Sequence, residues 1–562
     1  MAEGTQGEAR TRLPGKRKRG RHAAAKPGAA KGGLTRSSVL MAAGTVVSRA
    51  TGLLRTVLQA GALGTGLLAT TYNQANVVPA SLYFLLIGGA LNSVLVPQLV
   101  RARMEQPDGG RAFEQRLVTL TMSVLGVGTL LAVRAAPQII SLYQSDSPAN
   151  HEAFRLTVVF ARFLLPQIFF YGLFSILGQV LNARNRFGAM MWTPVLNNVV
   201  LISMFGVYLG MMTVPDSVQD VTRTQVTLLG AGTTLALAVQ ALALIPFARA
   251  AGFRFRPRFD WRGTGLGKSV SAARWTLLFV LTNLVAGTVV TRYASAADTA
   301  LPHGGVGFSA YTYAQTIWSL PQSVITVSLV TALLPRMSRA VAEHRLDDMR
   351  GDLSRALRIS GVVIVPAAFF FVALGPQTAQ VIFAHGAADP ASIVPLGQML
   401  QAFGLGLIPF SAQYMLLRGF YAFEDTRTPF WTAVWISTAD IALATACHLL
   451  MPPRWAVTGL AGAYAASYAI GLLITALLLR RRLEGRLDGK RLCRTYGRLT
   501  GAALAAGALG WVVARSSSAT VTSATWSPVL GLAAGGLTML VAFVLLARFL
   551  KVSEVRSLPG LG

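Results

Sequence analysis

The sequence is poor in cysteine, histidine and acidic residues. Its 562 residues include 2 Cys, 6 His and 22 Asp and Glu, against 51 Lys and Arg. Cys447 and Cys493 have no neighbours at metal-ligand spacing, so the pattern indicates neither a zinc site nor a disulfide framework. No His, Cys or Ser has neighbours that would form a catalytic group. These scarcities predict a protein that is not an enzyme and has no firm metal site.

Charged residues are scarce overall. They make up 13% of the chain, whereas 53% is hydrophobic; soluble domains carry about 25% charged residues. The composition predicts an all-α polytopic membrane protein. The net charge of +29 does not indicate a nucleic-acid partner, because the basic residues cluster in short segments between apolar runs, which is the positive-inside pattern.

A membrane-spanning helix needs about 20 mostly apolar residues. Fourteen stretches meet this requirement: 38–64, 74–100, 117–143, 155–182, 188–212, 225–248, 270–294, 306–334, 357–383, 392–421, 429–451, 456–479, 497–514 and 527–549. Basic residues concentrate after the even-numbered spans, which predicts that the N-terminus and the C-terminus are both cytoplasmic. An even number of spans agrees with this orientation.

The chain contains a weak internal repeat. Residues 95–102 at the end of span two resemble residues 333–340 at the end of span eight, and residues 181–194 after span four resemble residues 420–429 after span ten. The offset equals six spans, so both copies have the same orientation in the membrane. We therefore predict two six-helix lobes related by a pseudo-two-fold axis along the membrane normal, followed by two C-terminal helices. In such a transporter the substrate binds between the lobes, and rocking of the lobes gives alternating access.

These patterns predict six regions. They are a disordered basic cytoplasmic tail (1-37), an N-terminal six-helix lobe (38-249), a basic cytoplasmic linker (250-269), a C-terminal six-helix lobe (270-482), two additional transmembrane helices (483-550) and a cytoplasmic C-terminal tail (551-562). Residues 262–269 in the linker resemble a phosphate-binding loop, but Arg262 stands where the motif needs glycine. We therefore expect no nucleotide cofactor.

The first predicted span carries two arginines, Arg49 and Arg55. A charge at the centre of a spanning helix costs about 2.5–3.5 kcal/mol on insertion scales, and such residues usually face a protein interior or a water-filled cavity. Six residues on a helix correspond to about 9 Å of rise and about 120° of rotation, so the two side chains do not point along one line. The pair predicts a cationic cavity for an anionic cargo, with snorkelling or helix–helix pairing as the alternative.

Several short motifs occur in a fixed order along the chain. They are Ser48-Arg49-Ala50-Thr51-Gly52-Leu53-Leu54-Arg55, Leu95-Val96-Pro97, Arg162 with Pro166, Leu181-Asn182 with Arg186-Phe187, and Phe420-Tyr421-Ala422 with Asp425 and Thr428-Pro429. Together they resemble the MurJ/MviN family, the lipid II flippases of bacterial cell-wall synthesis within the multidrug/oligosaccharidyl-lipid/polysaccharide exporter superfamily. The chain departs from the family in spans two and eight, where residues 81–84 and 314–321 lack charges that many members carry. Arg49 and Arg55 would then carry more of the recognition of a diphosphate.

The resemblance implies a multi-pass protein of the bacterial plasma membrane. Its cargo would be lipid II, an undecaprenyl diphosphate bearing a disaccharide–peptide head group, flipped from the inner to the outer leaflet during peptidoglycan synthesis. Membrane lipid and cell-wall synthesis proteins are further candidate partners. The alternatives are a flippase for another polyprenyl-linked saccharide, a drug exporter of the same superfamily, or a non-transporting scaffold for cell-wall synthesis.

The resemblance also implies roles for single residues. Ser48, Arg49, Arg55 and Arg162 are candidates for substrate binding, and Arg274 is a weaker one. Asp440, with Thr438 and Asn283, is a candidate site for a monovalent cation, since carboxylate, hydroxyl and amide oxygens suit hard cations. The alternative for Asp440 is a helix–helix hydrogen bond. Arg418 and Asn182 are candidate gate residues. Coupling would come from the membrane potential or from a monovalent cation.

Overall fold

The structure is a computed structural model that describes residues 27–85, 104, 107–184, 186, 188–215, 217–260, 266–302, 304–484, 487–521, 523, 526–552 and 554. Within these ranges every regular element is helical. This agrees with the predicted all-α class. The physical reason is that a helix satisfies its backbone hydrogen bonds internally, which hydrocarbon requires.

The helices fall into two halves and a C-terminal pair. The first half contains α1 (Pro27–Leu63), α2 (Leu67–Tyr83), α3 (Arg111–Arg134), α4 (Ala136–Tyr143), α5 (His151–Leu164), α6 (Gln167–Asn182), α7 (Gly188–Met211), α8 (Arg223–Leu242) and α9 (Leu244–Ala250). The second half contains α10 (Leu266–Ala300), α11 (Phe308–Trp318), a π-helical turn (Gln322–Thr326), α12 (Val327–Ala342), α13 (Leu346–Phe383), α14 (Pro390–Ala422), α15 (Arg427–Leu450) and α16 (Pro453–Arg482). The C-terminal pair is α17 (Gly489–Ala519) and α18 (Trp526–Phe549).

Twelve helical segments among the described residues are long and apolar enough to cross a membrane. They overlap predicted spans three to fourteen. Predicted span one lies within α1 except for its last residue, Gly64. Predicted span two begins in α2 and continues into residues outside the described ranges. The repeat element at residues 95–102 also lies outside them.

Two element boundaries differ from the regions that the sequence suggested. Helix α1 begins at Pro27 and α10 at Leu266, so residues 27–37 of the 1-37 region and residues 266–269 of the 250-269 linker are helical. Extension of an existing helix adds a hydrogen bond per residue without repeating the cost of nucleation, which explains why both helices continue past their apolar stretch. Residues 1–26 and 261–265 lie outside the described residues.

Proline interrupts several of the long spans. Helix α3 ends before Ala135 and Pro137, α5 ends before Pro166, and the π-helical turn directly follows Pro321. Proline has no backbone N–H to donate and clashes with the preceding turn. These breaks divide predicted spans three, four and eight into shorter helices.

The packing partners of the first half recur in the second half. Helix α1 packs on α7 as α10 packs on α15, and α2 packs on α5 as α11 packs on α14. Likewise α6 and α7 each pack on α8, as α14 and α15 each pack on α16. Each pair corresponds to its counterpart across six predicted spans.

The C-terminal helices pack on each other and on α13. Their close approach uses small residues: a Cβ at Gly510 would lie 2.8 Å from the carbonyl oxygen of Gly535. Past α18, Glu554 forms a buried ion pair with Arg358 of α13. The pair is therefore anchored to the second half.

Candidate substrate cavity between the two halves

Helix α1 is held against α7 by small residues and one amide. The Nδ2 atom of Asn198 donates to the carbonyl oxygen of Ser48 at 3.0 Å and to Oγ1 of Thr51 at 2.9 Å. A Cβ at Gly44 would lie 3.0 Å from the indole nitrogen of Trp192. These contacts fix the rotation of α1. Ser48 contributes to them through its carbonyl group.

The rotation of α1 leaves both membrane arginines without an acidic partner among the described residues. Arg49 is exposed, and Arg55 is half-buried. The charge of Arg55 acts on the hydroxyl groups of Tyr72, Tyr171 and Tyr313, and its buried Nε atom has no hydrogen-bond partner among the described residues. A guanidinium with an unused donor in a low-dielectric site is a strong binding group for an oxyanion.

A set of polar contacts joins the two halves at the end of the bundle that the sequence predicts to face outward. Thr70 of α2 donates a hydrogen bond to the buried carboxylate of Asp298 in α10. The backbone N–H of Ser309 in α11 donates to Oγ1 of Thr70 at 3.2 Å. Asn73 donates to Oγ of Ser309 at 2.7 Å.

Backbone groups continue this closure. The N–H of Ala387 donates to the carbonyl oxygen of Gly61 at 2.7 Å, and the N–H of Leu67 donates to that of Pro302 at 3.1 Å. Gly386 has φ of 63°, and a Cβ there would lie 2.4 Å from the carbonyl oxygen of Gly61. We call these contacts, together with those of Thr70, Asn73, Asp298 and Ser309, the outer seam. It holds the two halves together at one end.

A cavity of about 310 Å³ lies between the two halves. Val77, Ser81 and Tyr143 of the first half line it. The lining residues of the second half include Asn283, Tyr311, Ser437, Asp440, Tyr464 and Tyr468. Most of these are polar or aromatic side chains, and Asp440 is the only acidic side chain among the lining residues that the structure describes.

Two of the three candidate cation ligands line this cavity. Asp440 is 6% exposed, and its Oδ1 atom has no hydrogen-bond partner among the described residues. Asn283 lines the same cavity and donates to the carbonyl oxygen of Phe279 at 2.8 Å. Thr438 is exposed and does not line the cavity, whereas Ser437 does. Residues two apart on a helix point about 200° apart, so Thr438 and Asp440 face different sides of α15.

The remaining candidate residues occupy separate places. Arg162 is exposed at the end of α5, before the break at Pro166. The guanidinium of Arg418 lies 4.3 Å from the ring centre of Tyr414. Asn182, at the end of α6, donates to Oε1 of Gln179 at 3.3 Å.

The structure does not bring these three residues into the described lining of the cavity, and Ser48, Arg49 and Arg55 lie outside that lining too. The exposed Arg274 lies outside the lining as well, 5.4 Å from the ring of Trp275. The roles of Arg162, Arg418 and Asn182 remain predictions.

An apolar groove of about 540 Å³ lies between the second half and the C-terminal pair. Its lining residues include Leu320, Pro321, Pro366, Phe370, Met539 and Phe543. The groove can accommodate hydrocarbon.

Sequence reasoning missed two polar features. Predicted span seven ends at residue 294, so the sequence places Asp298 in the connection after that span. Glu114 and Arg184 form a bidentate ion pair whose side chains are only 6% and 9% exposed, with Nη2 donating to Oε2 at 2.7 Å. Arg184 follows predicted span four directly, among the basic residues that the sequence predicts to be cytoplasmic. The only sequence signal was a lone acid among arginines at residues 111–116.

Comparison with known proteins places the chain in a family. The sequence model described as "Lipid II flippase MurJ" matches residues 59–529. The protein named "Probable lipid II flippase MurJ" from Rhizobium meliloti (strain 1021) is 29% identical over 516 residues, which are 88% of this chain and 90% of that protein. The protein of the same name from Haemophilus influenzae is 25% identical over 403 residues, 68% of this chain and 75% of that protein.

Solved structures share the fold. One described as "Lipid II flippase MurJ, inward closed conformation" matches with a TM-score of 0.71 at 19% identity, covering 91% of this chain and 100% of that one. An inward-facing multidrug resistance transporter of the MATE family matches with a TM-score of 0.61 at 15% identity, covering 78% of this chain and 94% of that one. Since the family's sequence model spans most of the chain, this protein belongs to the MurJ family of lipid II flippases.

Proposed function

We propose that this protein flips lipid II from the inner to the outer leaflet of the bacterial plasma membrane by alternating access. The observation that carries the proposal is the pair of arginines on α1 that have no acidic partner among the described residues, in a chain of the MurJ family. A diphosphate cannot cross hydrocarbon unpaired, because burying an isolated charge costs far more than a protein's folding stability. Arg49 and Arg55 would supply the compensating charge.

The two parts of the cargo would use different surfaces. The guanidinium of arginine is planar and donates two parallel hydrogen bonds to phosphate, and it keeps its charge at any physiological pH. The half-buried Arg55, with its unused Nε donor, suits the diphosphate. The apolar groove between α13 and α18 suits the polyprenyl tail, which would remain in a hydrocarbon environment while the head group moves.

The architecture that supports alternating access is a pair of lobes. We infer fourteen spans, with both termini cytoplasmic and a pseudo-two-fold axis along the membrane normal. The recurring helix pairs of the two halves support this symmetry. In this arrangement the outer seam would close the extracellular side, and cargo would enter from the cytoplasmic leaflet.

The membrane potential can drive this reaction in the required direction. Each net negative charge that moves from a negative interior to the outside gains about 2.3 kcal/mol per 100 mV. A monovalent cation is the second candidate for coupling. Asp440, Asn283 and Ser437 line one cavity and offer the oxygen ligands that hard cations take.

The test of transport is depletion of the protein in its own cells, with lipid II accessibility measured from outside. We expect externally accessible lipid II to fall on depletion and wild-type protein to restore it. Arg49→Ala and Arg55→Ala are expected not to restore it. Arg155→Ala serves as the control, because Arg155 is exposed at the start of α5 and its guanidinium is 3.5 Å from Glu152.

Three outcomes would contradict the proposal. Unchanged lipid II accessibility after depletion would favour the alternative that the protein is a non-transporting scaffold for cell-wall synthesis. A fall in a different polyprenyl-linked saccharide, with lipid II unchanged, would identify another cargo for the same machinery. Full restoration by both arginine variants at normal protein level would remove Arg49 and Arg55 as the recognition site for the diphosphate.

The cation hypothesis has its own test. Transport in vesicles of fixed membrane potential is compared in sodium and in choline buffers. If Asp440 holds a sodium ion, wild-type protein is faster in sodium and Asp440→Asn loses that difference. Equal rates of wild-type protein in both buffers would leave the membrane potential as the driving force.

A further inference from the structure

A second large cavity, of about 800 Å³, lies entirely within the first half. Met122 of α3, Phe169 and Leu173 of α6, and Ile245 of α9 are among its lining residues. None of its lining residues lines the cavity between the halves. Ligand pockets commonly measure about 300–1,000 Å³, so the volume suits a lipid-sized molecule.

The mouth of this cavity is formed by the basic loop at 251–260, which hydrogen bonds hold against α3. The Nε2 atom of Gln115 donates to the carbonyl oxygen of Arg254 at 3.2 Å, and the N–H of Arg258 donates to Oγ1 of Thr119 at 3.0 Å. Arg116 donates from Nε to Oδ2 of Asp260 at 2.9 Å. This hydrogen bond holds the pKa of the Asp260 carboxyl group below its usual range. Side chains on one turn of α3 thus position the loop.

Two arginines at this mouth are free to bind an anion. Arg249 and Arg254 line the cavity, are exposed, and have no acidic partner among the described residues. The nearby acids are already used, since Asp260 binds Arg116 and Glu114 binds Arg184. Every other lining residue that the structure describes is apolar, so the polar side chains of this lining are the two arginines.

The cavity also has the depth of a lipid site. Its lining runs along α6 from Phe169 to Leu177, which is about 12 Å of helix. The cationic mouth lies at the end of α9, and the apolar floor lies deeper in the span. The mouth therefore suits a negatively charged head group, and the apolar floor suits a hydrocarbon chain.

We propose that this cavity binds an anionic glycerophospholipid, with its phosphate between Arg249 and Arg254 and an acyl chain along α6. Its assignment to the cytoplasmic leaflet rests on the proposed orientation, but binding itself does not depend on transport. A juxtamembrane arginine contributes about 1 kcal/mol to binding an anionic lipid, which is roughly fivefold in affinity.

The experiment uses the full-length protein, purified and delipidated, with binding of phosphatidylglycerol and phosphatidylcholine measured by native mass spectrometry. Wild-type protein is expected to bind phosphatidylglycerol more tightly. The Arg249→Gln/Arg254→Gln double variant should lose roughly 25-fold in that affinity, with binding of phosphatidylcholine unchanged. Leu173→Trp, which places a ring in the cavity without altering charge, should also weaken phosphatidylglycerol binding.

Arg256→Gln is the matched control. Arg256 is an exposed arginine of the same loop that does not line the cavity, and its loss should change the affinity by less than twofold. Equal losses for Arg256→Gln and for either mouth arginine replaced alone would overturn the site in favour of general surface attraction. Equal affinity for the two lipids, or wild-type affinity in Leu173→Trp, would also overturn it. Phosphatidylglycerol binding unchanged in Arg55→Ala would separate this site from the proposed cargo site.

Discussion

The glycine contact in the outer seam leads to a quantitative prediction about the conformational equilibrium. In Gly386→Ala the new Cβ would lie 2.4 Å from the carbonyl oxygen of Gly61 and 3.1 Å from its carbon atom. Optimal separations between carbon atoms are about 3.5–4.0 Å. The obstacle is backbone, which is tied to Ala387 by a hydrogen bond of 2.7 Å, so no side chain can rotate away. The seam must open to accommodate the methyl group.

The size of the effect follows from packing. Overfilling a tight contact typically costs about 1–3 kcal/mol. Because the contact joins the two halves, this cost applies to the closed seam and is relieved when the halves separate. A shift of about 1–3 kcal/mol changes the ratio of open to closed molecules by about 5–150-fold. Lipid II transport should fall, because loading from the inner leaflet requires a closed outer side.

The shift from closed to open molecules is measured as the accessibility of a buried seam residue from outside the cell. Ala60 is fully buried and packs against the second half, so Ala60→Cys reports opening of the seam. With Cys447 and Cys493 replaced by serine, the labelling rate with a membrane-impermeant maleimide on intact cells should rise in Gly386→Ala. Gly252→Ala is the matched control, since Gly252 has φ of 86° and a Cβ there meets nothing within 4 Å.

The control separates contact from backbone strain. Alanine in the left-handed region costs about 1–2 kcal/mol in both variants, but only Gly386→Ala adds the collision. A labelling rate within twofold of the parent in Gly386→Ala would refute the reasoning. An equal rise in both variants would attribute the effect to strain.

Three further predictions concern named side chains. Thr70→Val removes the hydroxyl group that binds Asp298, and because an unpaired buried polar group costs about 1–3 kcal/mol, the labelling rate of Ala60→Cys should rise. Thr71→Val is the control, since it loses only a hydrogen bond within α2 and should leave the labelling rate unchanged. Equal labelling rates in the two variants would contradict the role of the seam. Glu114→Gln leaves Arg184 buried without its counter-charge and should destabilise the protein by about 3–5 kcal/mol, measured by thermal unfolding in detergent. The double variant Glu114→Gln/Arg184→Met should recover part of this stability. A double variant that is less stable than Glu114→Gln would contradict the importance of the ion pair between these residues. Arg55→Lys keeps the charge but not the planar fork, so it should restore growth of depleted cells only partly, between alanine and wild type, and full restoration would show that charge alone suffices.

Several features could be predicted because they depend on local properties of the sequence. Hydrocarbon thickness sets the length of a spanning helix, and twelve of the predicted spans overlap helices long enough to cross a membrane. The arginines of α1 could be singled out because a charge inside an apolar run is costly wherever the helix lies. Ordered short motifs predicted the family, and the comparisons confirmed it.

Other features depend on which helix faces meet. Thr70 and Asp298 are 228 residues apart in the chain, and their contact exists only because α2 packs against α10. Ser437 rather than Thr438 faces the cavity because of the rotation of α15 about its axis. The pairing of Glu114 with Arg184 likewise required the packing of α3 on α6.

The sequence by itself therefore determined the helical class, the positions of twelve helices long enough to span a membrane and the presence of costly charges within apolar stretches. Apolar length and charge count along the chain are sufficient for those conclusions. Only the tertiary structure decided that Arg55 lacks an acidic partner among the described residues, that Asp440 lines a cavity between the halves, and that Asp298 closes the outer seam. The physical reason is that the free energy of a buried polar group depends on the atoms around it, and packing brings those atoms from distant parts of the chain.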